Sequence, residues 1–161
     1  MTIKQSPLEL KEFNILNVDC RFVAPKIEVD VEKLFNSYEI DINFAIRQIA
    51  EGTVYVLFVK AEINYEVPPT IQKEGYEMYI ESVGVFSVKD TKISDEEKLT
   101  LLTNSGLVMV LNFLRTKLAD ITAHFPMGKY YIPSIDLKDL VEKKQKTLHK
   151  ASVKNKKRKS A

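Results

Sequence analysis

The sequence is poor in the residues from which linkers, disulfide frameworks and metal sites are made. Its 161 residues include 5 glycines, 6 prolines, 2 histidines and 1 cysteine. So few glycines and prolines exclude a long flexible linker and a collagen-like repeat. The glycines stand apart, at Gly52, Gly75, Gly84, Gly106 and Gly128, and supply no Gly-rich phosphate loop. Cys20 alone cannot close an internal disulfide, and strand alternation places it on an apolar face as a small buried hydrophobe. His124 falls at a helix end and His149 in a basic segment, with no second ligand at metal spacing. Neither histidine is set for a Ser-His-Asp or Cys-His centre. The acidic clusters have plain structural uses: Asp95-Glu96-Glu97 open a helix, while Glu39 and Asp41 share the polar face of a strand. These residues predict a protein that is not an enzyme, with no catalytic residue, no metal site and no cofactor. No apolar run approaches the roughly 20 residues of a membrane helix, and residues 1–7 lack the apolar stretch of a secretory leader. A cytoplasmic protein is expected.

What is present is the composition of one globular domain: 45% apolar and 29% charged residues, in a chain long enough for a single core. The net charge of +2 hides a division. Residues 143–161 hold nine Lys/Arg and no acid, which leaves 15 basic and 22 acidic residues in 1–142, a net of −7. We therefore divide the chain into a domain, 1–142, and a basic tail, 143–161, with the last helix extending to about 150. Lys154 to Lys159 carry enough cation to grip an anionic surface, nucleic acid or membrane. The tail has no aromatic residue for stacking on bases, so the plainer reading is a solvated segment.

Hydrophobic periodicity predicts strands first and helices afterwards. Leu8 to Val23 reads as one long strand whose apolar parity changes near Leu16-Asn17, the mark of a bulge or a face switch. A connection over Lys26 to Ser37 is too long for a hairpin. Tyr38, Ile40, Ile42, Phe44 and Ile46 then alternate with polar residues in a second strand, and Val54 to Val67 and Tyr76 to Val88 form a third and fourth. Ser94-Asp95-Glu96-Glu97 is a capping box. The helix it opens meets a break or kink at Asn104-Ser105-Gly106 and continues through Leu107, Val110, Leu111, Leu114 and Leu118 to His124. Phe125-Pro126-Met127-Gly128 ends that helix, Tyr130 to Pro133 is extended, and Ser134 or Asp136 caps a last helix. The class is α+β: a four-stranded antiparallel sheet, a meander with a long crossover after its first strand, with helices on one face.

Several segments, in this order, resemble the SecB family of protein-export chaperones. Arg21-Phe22-Val23-Ala24-Pro25 is similar to the family's Phe-x-Ala-Pro strand ending, and the long connection to its crossover loop. Glu81 to Val88 resembles its Gly-Ile-Phe-like fourth strand. Asn112 through Phe125-Pro126 to Pro133, Ile135, Asp136 and Leu137 resembles its helix, Phe-Pro loop, Pro-x-x-Phe-like lead-in and final helix. Together these segments span roughly residues 8–145.

The resemblance implies a homo-oligomer, a dimer of dimers, that holds unfolded polypeptides, keeps preproteins competent for export and passes them to the motor SecA. A groove between crossover and last helix is implied, lined here by Val31, Leu34, Phe35, Leu137, Leu140 and Val141, floored by Phe44 and walled by Tyr130 and Tyr131. Phe35→Asp is then expected to weaken client binding without altering assembly. Leu107, Val110, Leu111, Leu114 and Leu118 are assigned to the oligomer interface or the core. SecA docking falls to Asp19 and Glu81, although Val23 stands where the family often has an acid and the tail here is unusually basic. Divergent relatives of the family serve single antitoxins in toxin–antitoxin systems, which is the alternative client. A third reading is an adaptor tethered to nucleic acid or membrane by residues 143–161.

Overall fold

Period-two patterning becomes one antiparallel sheet of four strands: β1 (Leu8–Val23), β2 (Ile40–Ala50), β3 (Val54–Ile63) and β4 (Gly75–Val88). The computed structural model describes residues 5–50, 53–65, 73–89 and 92–147. Strand order is β1-β4-β3-β2, so β2, β3 and β4 form the meander and β1 closes on β4. Consecutive strands β1 and β2 therefore lie on opposite edges, roughly 14 Å apart over three strand spacings. That separation is why no hairpin can join them. The connection carries a short helix, α1 (Val31–Asn36), capped by Asp30, whose carboxylate accepts from the amides of Glu32 (3.1 Å) and Lys33 (3.2 Å).

The β1–β4 register slips between Ile15 and Asn17, which leaves Leu16 as the expected bulge, and again between Leu10 and Glu12. Each slip restores the apolar parity that the sequence loses, so Phe13 and Ile15 as well as Val18, Cys20 and Phe22 fall on the inner face. Asn64 ends β3 by taking φ of 51°. Asparagine tolerates this left-handed conformation. Its side-chain oxygen accepts from the Glu39 amide (3.0 Å) and its own amide donates to the Glu39 carbonyl (2.9 Å). The strand thus stops at Ile63 rather than continuing to Val67, and Val67 itself lies outside the described residues.

The capping box forms as the spacing predicts: Ser94 Oγ accepts from the Glu97 amide and Glu97 returns a carboxylate to the Ser94 amide. It starts α2 (Asp95–Leu101), and a π turn over Leu102–Gly106 passes the chain into α3 (Leu107–Thr122). The predicted kink is thus a π turn, with Gly106 packed against Phe86 and Leu8. The helix ends at Thr122, short of His124, where the Thr122 hydroxyl donates to the Leu118 carbonyl (2.7 Å) and accepts from the Tyr130 amide (2.8 Å), tying the helix end to the extended segment that follows. Asp136, not Ser134, caps the last helix, α4 (residues 137–147). That helix crosses the 142/143 charge boundary, and residues 148–161 lie outside the described set.

The core lies between the inner sheet face and α3. Leu57, Val59, Ala61, Ile63, Tyr76, Met78, Ile80 and Phe86 meet Leu107, Val110, Leu114 and Leu118, all at most 1% exposed. Each such large side chain stabilises the fold by about 1.5–3 kcal/mol. Leu111 is 9% exposed. The α3 stripe is therefore covered by the chain's own sheet. Helix and sheet approach so closely at Gly84 that a Cβ there would meet Val110 Cγ2 at 3.0 Å and Phe86 Cε2 at 2.8 Å.

Candidate functional site

Sequence places the candidate lining residues on four different elements, and the fold sorts them into two neighbourhoods. The first is an aromatic cluster under α1. Phe35 packs on Tyr38 (5.5 Å between ring centroids), Tyr76 (5.5 Å) and Tyr130 (5.2 Å). Tyr38 meets Tyr130 at 5.4 Å, while Phe22 and Phe125 close on Tyr76 at 6.0 and 5.7 Å. Hydroxyls tie the cluster to the backbone. Tyr38 Oη accepts from the Tyr76 amide (2.8 Å), and Tyr76 Oη donates to the Gly128 carbonyl (2.8 Å) and accepts from the Met127 amide (3.1 Å). Among the described residues Tyr130 Oη is buried without a hydrogen-bond partner, and burial pushes its pKa up. Leu34 lies over Gly75, and Val31 is half-buried at the start of α1. Cys20, half-buried nearby, has its thiol pushed up to about 11 by burial, which makes it a poor nucleophile at neutral pH.

The second neighbourhood is a groove of about 370 Å³ between the edge strand β2 and α4. Phe44 and Leu140 line it with Ile40, Ile42 and Ile135, and Asp41, Asp136, Asp139, Lys143 and Lys144 form its rim. Among the described residues β2 pairs with β3 alone, so its outer backbone groups border this groove. Arg115 holds the groove's lead-in segment to α3, donating to the carbonyls of Ile132 (2.7 Å) and Pro133 (2.9 Å). Leu137 lines an adjoining 170 Å³ cleft with Val108, Leu111 and Arg115. Val141 packs half-buried on the core, and Tyr131 is 56% exposed outside these clefts. Of the nine residues assigned to one lining, Phe44 and Leu140 share the groove, Leu137 borders it, and Phe35 and Tyr130 belong to the aromatic cluster.

Sequence reasoning missed Lys144. Its Nζ donates to Asn43 Oδ1 (2.7 Å) and lies 5.9 Å from the Phe44 ring. Its position four residues after Leu140 on one helix face was the available signal.

The outer sheet face holds Asp19 and Glu81, and both are engaged. Asp19 accepts from the Tyr65 hydroxyl (3.1 Å) and pairs with Arg21 (3.4 Å), whose guanidinium lies 5.1 Å from the Tyr65 ring. Glu81 accepts from the Tyr79 hydroxyl, and this bond, helped by burial, pushes Tyr79 up to about 12. Lys60 sits beside Glu81 in register. Among the described residues, no three His, Cys, Asp or Glu converge as a metal site, and no helix is long and apolar enough to cross a membrane.

A sheet ordered β1-β4-β3-β2, an edge-to-edge crossover and long helices on one face define the SecB-like fold. The chain superposes on the Mycobacterium tuberculosis SecB-like chaperone Rv1957, solved in complex with a ChAD peptide from the Rv1956 HigA1 antitoxin. The TM-score is 0.56 at 12% identity, over 80% of this chain and 88% of that one. A Streptococcus agalactiae protein of unknown function aligns at TM-score 0.42 and 9% identity, over 79% of this chain and 97% of that one. No family model and no curated protein matches the chain.

Proposed function

We propose that this chain is a non-enzymatic, cytoplasmic holdase that binds unfolded polypeptides in the groove between β2 and α4. The observation that carries this is the cleft of about 370 Å³, apolar along Ile40, Ile42, Phe44, Ile135 and Leu140 and charged at its rim, beside an edge strand that among the described residues pairs only with β3. Non-native chains share exposed apolar side chains and unpaired backbone rather than a sequence. A groove of isoleucines, Phe44 and Leu140 beside an open strand offers a partner to both. Many weak contacts along one client then sum to useful affinity.

The test is suppression of aggregation of an unrelated, chemically denatured protein at near-stoichiometric ratio. Leu140→Gln is expected to raise the chaperone concentration needed for half suppression about fivefold, since it removes roughly 1 kcal/mol of apolar contact per bound segment. An unchanged concentration places the client elsewhere.

Two client classes fit. One is precursors of exported proteins handed to SecA; the engagement of Asp19 by Tyr65 and of Glu81 by Tyr79 weighs against docking through those acids. The other is a single antitoxin, which the likeness to a SecB-like chaperone bound to an antitoxin peptide favours. A dedicated chaperone fails the general aggregation assay and protects one client.

Assembly belongs to the same proposal. Leu16 (54% exposed), Val18 (43%) and Phe113 (42%) lie on β1 and α3, where Phe13 and Phe113 stack at 4.7 Å. With the helix stripe inside the core, we assign the contact with a second copy to this β1–α3 edge. The native particle is expected to be a multiple of 18.5 kDa, and Phe113→Asp to reduce it to one chain without unfolding. A single-chain wild-type particle in native light scattering removes the oligomer.

A further inference from the structure

We infer that Lys144 is a carboxylate latch, so that the groove selects polypeptide segments bearing an acidic side chain flanked by apolar ones. This rests on the polypeptide-holding reading and specifies its clients.

Lys144 differs from its basic neighbours. Lys143 is neutralised by Asp139 (2.7 Å) and Lys60 by Glu62 (3.1 Å). Lys144 has only a neutral amide oxygen, on Asn43, and the face of Phe44; among the described residues no carboxylate pairs with it. An ammonium bound to a neutral oxygen gains more from a carboxylate, because the bond then carries charge on both sides. A client carboxylate can therefore take the place of Asn43 Oδ1. Asp41 shares the outer face of β2 with Asn43 two residues on, yet among the described residues Lys144 turns to Asn43 and not to it. Asp136 lies eight residues back along α4, roughly 12 Å at the helical rise, and caps the helix, while Asp139 holds Lys143.

Its location accounts for the apolar flanks. Asn43 is on the outer sheet face, whereas Phe44 points inward, so the Lys144 side chain passes around the β2 edge. It lines both the inner groove and an outer cleft of about 410 Å³ that includes Leu16, Ala45 and Phe58. An extended segment sends alternate side chains to opposite sides. Lying along this edge, it would set apolar side chains on Leu140 and Phe44 within and on Phe58 outside, with an acid meeting Lys144 between them. In the free chain the lysine covers the edge, a recognised guard against indiscriminate strand pairing. Turning to a client carboxylate uncovers that edge for the segment that supplied it.

The test uses the full chain and two short fluorescent peptides of one apolar sequence, with a central glutamate or a central glutamine. Wild type is expected to bind the glutamate peptide about fivefold tighter, the upper range for a partly exposed pair. Lys144→Met should abolish that preference while leaving glutamine-peptide affinity within about twofold, and Lys144→Arg should retain it. Asn43→Asp, which occupies the latch internally, should also abolish it. Basic residues 148–161 remain in every variant and cannot produce the difference. Equal binding of the two peptides by wild type overturns the latch, as does a preference that survives in Lys144→Met. If neither peptide binds while aggregation is still suppressed, the latch is wrong and the holdase stands; if suppression is absent too, the latch and the general holdase both fall, and a chaperone of one dedicated client is what is left.

Discussion

Gly75→Ala is expected to cost about 3 kcal/mol of folding stability, read as a lower urea midpoint with an unchanged slope. Gly75 opens β4 with φ of 92°, a region in which an L side chain is strained by about 1–2 kcal/mol. Space makes matters worse. A Cβ at this position would overlap Tyr38 Oη and come within 3.2 Å of Leu34 Cδ2. Tyr38 Oη is the acceptor for the Tyr76 amide (2.8 Å), so displacing it orphans a buried donor, at about 1–3 kcal/mol. Tyr38→Phe loses the same bond without touching Gly75. The double variant should therefore be destabilised by little more than Gly75→Ala alone, because the two changes share one hydrogen bond. Strictly additive losses would show that strain at Gly75, and not the Tyr38–Tyr76 bond, accounts for the effect.

Much of this architecture was legible because it is written locally. Period-two alternation identified β2 and placed Phe44 on its buried face, and the Ser94–Glu97 spacing gave a cap that forms as drawn. The parity change at Leu16 located a bulge without any knowledge of β4. Other features depend on chain reversals that no local pattern records. The alternation of Ile63, Tyr65 and Val67 reads as continuing strand, yet the φ of Asn64 turns Tyr65 onto Asp19 and Tyr79. Asp19, one of the acids that the family resemblance offered for docking, thereby acquires a partner 46 residues away. Lys144 and Asn43 are 101 residues apart, so nothing in either neighbourhood shows that they meet. Apolar spacing on α3 had two readings, core or interface, since both require the same residues. Only the position of the sheet decides, and it buries Leu107, Val110, Leu114 and Leu118 completely.

Phe35→Asp separates the two neighbourhoods of the candidate site by experiment. As a wall of the client groove, Phe35 could be replaced with loss of binding and an intact fold. The structure instead makes it the one side chain of α1 with three ring contacts, on Tyr38, Tyr76 and Tyr130. Each pair contributes about 0.5–1.5 kcal/mol beyond the area it covers. An aspartate removes all three and sets a carboxylate among rings whose faces carry negative potential. The net expectation is about 3 kcal/mol of destabilisation, with a lowered thermal midpoint and early loss of the tyrosine near-ultraviolet signal. Phe35→Leu keeps an apolar side chain and should lose about half as much. Client binding by the folded fraction should remain within about twofold of wild type, because Phe44, Leu140 and Lys144 lie in the separate β2–α4 groove. If Phe35→Asp melts like wild type and fails only in holding clients, then α1 and not α4 forms the working wall, and the groove must be redrawn around Leu34, Phe35 and Tyr130.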